Sequence, residues 1–300
     1  MGPCVIFNPA ARGERALRFR RFLTAVAPGT ALKPTTGPGA ARELAAEAAR
    51  EGYEVIVSAG GDGTLHEVVN GLADVPGALA RVTLGVLPLG TVNVFALELG
   101  LPLSPPRAWE VVRRGATRDV DLPWAEVTTP AGPRRERFIA IAGAGLDARA
   151  VELASWPLKR KIGRLAYLVA ALQAWREPPR EFPWEGGGER GRATFAAFGN
   201  GRFYGGRIEV FPGGDLRSGR VQACLFPRVT GPLILSSVWA YFGRRPWRPP
   251  PEVRRLADTE IHLPGPTAVP VHLDGELAGT LPARFGCAAG ERLRVRVPAG

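Results

Sequence analysis

The 300-residue sequence is short of the residues that build metal centres and disulfide frameworks. Its three cysteines, Cys4, Cys224 and Cys287, lie far apart and share no ligand spacing, so they read as reduced core residues of a cytoplasmic protein. Three histidines leave little room for a histidine-held metal. Lysine occurs only at 33, 159 and 161, so nearly all the positive charge is arginine. No apolar run approaches the ~20 residues that span a bilayer. The two longest, 165–172 and 231–242, read as core helices with basic edges, Lys159-Arg160-Lys161-Arg164 and Arg244-Arg245, suited at most to an interfacial role. The strand-like Cys4-Val5-Ile6-Phe7 so soon after Met1 leads to the expectation of no signal peptide. No internal repeat and no nucleic-acid signature is present, so no nucleic-acid partner is expected.

What is there is a folded composition, 45% hydrophobic and 22% charged, with a net charge of +11. Such a surface attracts anions: nucleotides, nucleic acids or anionic lipid headgroups. The most informative stretch is Gly60-Gly61-Asp62-Gly63-Thr64. The residues before it, 53–59, are β-branched and apolar enough for a buried strand. After it, Leu65, Val68, Val69 and Leu72 have the spacing of an amphipathic helix, with Thr64 and Glu67 predicted as its capping box. A glycine turn that opens on a helix N-terminus is a phosphate-binding geometry. It lacks the lysine of a Walker loop and the frame of a dinucleotide motif. For the glycines alone, a plain capped turn with a solvated Asp would suffice. A carboxylate inside such a turn would repel phosphates unless it held a metal ion or took a proton, so Asp62 points to phosphoryl transfer.

Residues 1–120 alternate strand and helix signals, which predicts an α/β domain with a parallel sheet and helices on both faces. Strands are expected near 5–7, 30–35, 53–59 and 82–87. Helices are expected in the run holding Leu17, Phe19, Phe22 and Leu23, over 40–50, after Thr64, and between Asn93 and Gly100. Ligands of such sheets sit at the carboxyl ends of the strands, an edge that would carry Asn8, Thr35, Gly61, Asp62 and Thr91. Residues 121–300 read instead as a second, mainly antiparallel β-sandwich domain. Its predicted strands cover 126–128, 138–141, 193–198, 207–211, 221–226, 260–263, 269–273 and 293–297, with a helix over 163–175. Asp274-Gly275 is the usual signal of a two-residue hairpin.

Taken together, these residues resemble the diacylglycerol kinase catalytic-domain superfamily of lipid kinases, which includes bacterial members and sphingosine kinases. The likeness runs through Asn8-Pro9, the glycine motif extended to His66, Glu67, Asn70, Gly71 and Leu72, and Leu87-Pro88-Leu89-Gly90-Thr91. It continues in Gly199-Asn200-Gly201, Tyr204-Gly205-Gly206 and Asp274-Gly275-Glu276. The short glycine motif is shared with NAD kinases and phosphofructokinases. Three departures stand out: Val94 follows Asn93 where the family often has Asp, Leu97 replaces an Arg, and Ser218 stands where a structural magnesium loop carries an Asp.

The resemblance implies an ATP- and Mg²⁺-dependent kinase acting on a lipid hydroxyl, diacylglycerol by default, with the ATP site between the two domains. It implies nucleotide contacts from Asn8, Pro9, Thr35, Gly60, Gly61, Asp62, Gly63, Thr64, Gly90 and Thr91. Asp62 and Glu276 would be catalytic, Glu276 as general base, and Asp62 and Asp121 would serve the metal. The expected partners are a lipid alcohol and, peripherally, the anionic inner face of the membrane. Two rivals are an NAD kinase-like enzyme with a soluble acceptor and a nucleotide-binding regulator without catalysis. Acceptor identity and oligomeric state stay open.

Overall fold

The computed structural model describes residues 2–9, 17, 19, 21, 22, 28–154, 165–241, 243, 247–288 and 290–299. Residues 10–13, Leu23 and both basic clusters of the sequence reading lie outside these; Leu17, Phe19 and Phe22 are helical. The chain runs β1 (Cys4–Phe7), β2 (Ala31–Pro34), α1 (Ala40–Arg50), β3 (Val55–Gly60), α2 (Asp62–Ala73), α3 (Ala78–Arg81), β4 (Thr83–Pro88), α4 (Val94–Glu98), α5 (Pro105–Arg114) and β5 (Ala116–Asp121). It continues with β6 (Trp124–Thr129), β7 (Gly132–Arg137), β8 (Ile141–Gly145), α6 (Leu146–Leu153), α7 (Leu165–Arg176), β9 (Phe182–Gly186), β10 (Glu189–Ala193), β11 (Phe195–Gly199), β12 (Phe203–Tyr204), β13 (Ile208–Glu209) and β14 (Val221–Phe226). The last elements are α8 (Gly231–Tyr241), β15 (Arg254–Asp258), β16 (Glu260–Leu263), β17 (Pro270–Leu273), β18 (Glu276–Gly286) and β19 (Arg292–Val297).

Two compact units result, Met1–Leu122 with Gly290–Gly300, and Pro123–Ala289. In the first, the sheet order is β2-β1-β3-β4-β19-β5. β1 to β4 and β19 are parallel, and β5 runs against β19. Strands such as Val55-Ile56-Val57 are apolar on both faces because both are covered. Val5, Val57, Ala59 and Leu87 pack under Ala108, Trp109 and Val112 of α5 and under Phe19. α1 packs on β1 and α2 on β3. The two helices approach closely at Gly71, where a Cβ would lie 2.1 Å from the Arg42 carbonyl oxygen.

In the second unit the antiparallel strands β10-β9-β16-β18-β17-β8-β11-β14-β15 form one sheet, with β6 joined to β18 and β7 to β6. The sheet folds on itself as a sandwich: Phe198 of β11 and Phe285 of β18, which are not neighbours in the sheet, stack with centroids 3.9 Å apart inside a shared apolar core.

Two expectations change here. Residues 293–297, read as part of the second domain, form β19 of the first sheet, because its alternating Leu293, Val295 and Val297 fill the apolar slot beside β4. Residues 138–140 are not strand, because the Phe138 N–H donates to the Pro123 carbonyl and the N–H groups of Ile139 and Ala140 turn to a side chain described below.

Candidate functional site

The sheet register gathers the predicted nucleotide residues at one edge of the first unit. Phe7 pairs with Pro34 and Ala59, and Gly60 with Pro88, so Asn8, Thr35, Gly61 and Gly90 all leave the sheet at its carboxyl edge. The Thr35 N–H holds the Phe7 carbonyl at 2.9 Å. Asn8, Pro9 and Thr91 are exposed there, and Asp62, Gly63 and Thr64 are half-buried. The turns after β3 and β4 touch through bare backbone. A Cβ on Gly90 would lie 2.5 Å from the Gly61 Cα, and one on Gly60 2.4 Å from Thr64 Oγ1. Gly60 also accepts the N–H groups of Leu89 and Gly90 through its carbonyl, at 2.8 and 3.2 Å. Asn93, which sequence reasoning noted only in passing, fixes the second turn. It sits at φ 58°, its Oδ1 accepts from Gly90 N at 3.0 Å, and its Nδ2 donates to Gly90 O at 2.8 Å.

The predicted capping box is replaced by a different arrangement. α2 begins at Asp62 behind an extended Gly61, and no side chain caps it. Glu67 reaches across to α1 and accepts the N–H groups of Gly39 and Ala41 at 2.8 and 3.0 Å. The cause is Gly39, a left-handed N-cap without a side chain of its own, whose helix leaves N–H groups for a neighbour to satisfy. The uncapped start of α2 and its glycine cradle suit an anionic phosphate chain.

Asp62 lies at this edge as the sequence indicated, but it opens α2, two residues before the Thr64 at which the helix was expected to start. Asp121 does not join it. It is buried at the end of β5, 3.3 Å from Arg292 Nε, and pairs with Arg292, two residues before the Arg294 that faces Thr83 at the start of β4. At about 3.3 Å per residue, that level is roughly 20 Å along the strands from the Gly60–Pro88 pair. One ion therefore does not take both carboxylates; β5 runs antiparallel and carries Asp121 to the opposite edge. Among the described residues no three His, Cys, Asp or Glu side chains gather as a cation cage. Mg²⁺ commonly keeps several waters and takes one or two carboxylates plus substrate phosphates. Asp62 beside the glycine cradle fits that mode of holding.

In the second unit, Glu276 is the exposed first residue of β18, after the two-residue turn of Asp274 (φ 48°) and Gly275 (φ 87°). The hairpin reading was right, and the turn is more than a hairpin. The buried Asp274 carboxylate accepts the N–H groups of Ile139, Ala140 and Ile141 at 2.9, 2.9 and 3.0 Å. Beneath the same turn, His272 Nε2 lies 2.9 Å from Asp147 Oδ2 and 3.2 Å from the Tyr204 hydroxyl, which also hydrogen-bonds Asp147. Burial pushes the Tyr204 hydroxyl well above its ordinary pKa, and the Asp147 carboxylate pushes it the same way. The loop at Ser218 is closed by its own groups: Asp215 Oδ1 accepts from Arg217 N at 3.0 Å, and Ser218 Oγ accepts from Arg220 N at 3.3 Å. A cavity of about 140 Å³ lies elsewhere in this unit, with Leu146, Trp175, Val229, Val269 and Pro270 in its wall.

Residues 3–125 match the family model described as the diacylglycerol kinase catalytic domain, and residues 140–296 match the YegS C-terminal NAD kinase beta sandwich-like domain. The chain is 30% identical over 288 residues to a protein of Pseudomonas aeruginosa named "Probable lipid kinase YegS-like", covering 90% of this chain and 85% of that one. It is 35% identical over 177 residues to a diacylglycerol kinase of Bacillus subtilis, covering 56% of this chain and 54% of that one. Its fold is similar to that in a crystal structure of a diacylglycerol kinase from Bacillus anthracis, with a TM-score of 0.72 and 23% identity, covering 99% of this chain and 96% of that one. A more distant likeness is to yeast NADH kinase complexed with NADH, with a TM-score of 0.55 and 12% identity, covering 100% and 84%.

Proposed function

Because the chain belongs to the diacylglycerol kinase catalytic-domain family of lipid kinases, we propose that it transfers the γ-phosphate of ATP, carried with Mg²⁺, to a hydroxyl of a lipid alcohol, diacylglycerol by default. The observation that carries this reading is the glycine-built strand edge with Asp62 as the first residue of an uncapped α2. In that reading the N–H groups of the turn and the helix start receive phosphate oxygens, and Asn8, Pro9, Thr35, Gly90 and Thr91 line the nucleotide. Asp62 holds the Mg²⁺ that comes with the nucleotide, and the metal supplies neutralisation of the phosphate charge. Glu276 accepts the proton of the acceptor hydroxyl as the new P–O bond forms and the bond from the γ-phosphorus to the bridging oxygen breaks, releasing ADP.

The test is transfer of radiolabelled phosphate from ATP into a total-lipid extract, resolved by lipid class, with NAD as a parallel water-soluble acceptor. Label in a lipid class supports the reading. Label only in the NAD arm selects the soluble-acceptor enzyme, and ATP binding without transfer to either selects the inactive regulator.

The same reading makes the protein peripheral to the anionic inner face of the membrane. No helix among the described residues is long and apolar enough to cross one. Leu235 (58%), Trp239 (41%) and Trp175 (40%) are nevertheless large apolar side chains exposed on α8 and α7. Trp175 Nε1 donates to Val229 O at 3.0 Å, which brings the end of α7 to the start of α8, beside exposed Arg176 and Arg228. Tryptophan with flanking arginine suits the headgroup region of a bilayer. Co-sedimentation with anionic vesicles is expected to fall with added salt and to fall again in Trp175→Ala with Trp239→Ala. Equal binding to neutral vesicles would overturn the charge account.

A further inference from the structure

We propose that His272, oriented by Asp147 and Tyr204, is a positioning residue that sets the Asp274–Gly275 turn and with it the direction of Glu276; this rests on the reading of Glu276 as the general base. The Gly275 N–H donates to His272 Nδ1 at 3.3 Å. A ring nitrogen that accepts carries no proton, so the imidazole proton belongs to Nε2, which faces Asp147 Oδ2 at 2.9 Å. The ring thus accepts at one end and donates at the other, on one rigid plane. His272 is itself buried, so both ends need these partners.

Several features show that the cluster is built for this contact. The pairing of β17 with β18 shifts register between Val271 and His272, and an irregularity of that kind re-aims a side chain. Gly143 faces the cluster across β8: a Cβ there would lie 2.6 Å from His272 Nε2, 2.7 Å from the Tyr204 hydroxyl and 3.1 Å from Asp147 Oδ2. Three separate segments therefore converge on one imidazole: the start of α6, β12 and β8. Asp274 anchors the turn to residues 139–141 on one side, and His272 holds its second residue on the other. With both central residues fixed, the strand that starts at Glu276 has one direction to leave.

The experiment compares His272→Gln, His272→Asn and Tyr204→Phe, each alone and with Glu276→Gln, in the labelled-phosphate assay. Asn places an acceptor where Nδ1 stood, whereas Gln reaches toward Asp147 and leaves Gly275 without its acceptor. We expect His272→Gln to lower kcat about tenfold or more with KM for ATP within about twofold, and Asn to restore much of the loss. In the Glu276→Gln background the Gln substitution should add little, because it acts through a group already removed. Hydrogen exchange at the Gly275 amide should accelerate in His272→Gln and not in Asn, with the melting temperature recording that the variants are folded. Losses that add in full, or an unchanged Gly275 amide in His272→Gln, would overturn the proposal. If Glu276→Gln alone turns over like the wild type, the general-base reading fails instead, in a variant that leaves His272 untouched.

Discussion

The two turns that introduce Asp62 and Glu276 reach the same end by opposite means. Each carboxylate is the first residue of an element, α2 in one case and β18 in the other. The Gly60–Gly61 turn is shaped by missing atoms: glycine backbone lies against glycine backbone, and any side chain would force the two turns apart. The Asp274–Gly275 turn is shaped by added acceptors, a carboxylate and an imidazole that collect backbone N–H groups from two sides. A turn that lets backbone donors approach closely is built by removing bulk. A turn that aims a side chain needs rigidity, so it is built by adding bonds.

The comparison breaks most readily at the carboxylates themselves. Asp62→Asn and Glu276→Gln are each expected to lower kcat by roughly 10²- to 10⁴-fold with ATP affinity little changed. Steady-state turnover and calorimetry check this, and near-wild-type turnover in both would end the proposed mechanism. Next in size is Asp274→Ala. It would leave three buried N–H donors without their acceptor, at a cost of about 3 kcal/mol or more, read by denaturant unfolding. Asp274→Asn should fall between.

Volume tests the other turn. Gly90→Ala should cost about 1–3 kcal/mol and weaken ATP binding, because the added methyl meets the Gly61 Cα. Gly275→Ala has open space around it and carries only the strain of its positive φ, roughly 1–2 kcal/mol, with ATP binding untouched. If the two substitutions weaken ATP binding equally, the contrast is false. The smallest effect concerns Ser218. Because its loop is closed by internal hydrogen bonds, a few millimolar Mg²⁺ should leave the melting temperature of nucleotide-free wild type unchanged, whereas Ser218→Asp should gain about 2 °C. An equal shift in both would show that the loop holds metal without the Asp.

The local parts of this design were legible in the sequence. The glycine motif between a β-branched run and an amphipathic run specified strand, turn and helix, and Asp-Gly specified a hairpin. What was not legible depends on partners far along the chain. Glu67 looked like its own helix's cap and serves α1 instead, because the need arises at Gly39. Residues 138–140 look like strand by composition, but a carboxylate more than a hundred residues away takes the N–H groups of Ile139 and Ala140. Asp121 matched a family position by sequence, and only the antiparallel sense of β5 reveals which edge it occupies. His272 was one of three histidines with no spacing to single it out; the available signals were the Tyr204-Gly205-Gly206 motif and Asp274-Gly275-Glu276 two residues on.

The insertion of β19 between β4 and β5 has a consequence for how the polypeptide folds as it is made. When β4 and β5 have left the ribosome, the strand that joins them is about 170 residues from being synthesised. Until it arrives, β4 presents an unpaired edge and β5 has no partner in its sheet. The first unit to emerge is thus the last to finish, and it passes through synthesis as an intermediate with an adhesive flank. Removal of the final strand would accordingly be felt first in the N-terminal unit, not at the end that was cut.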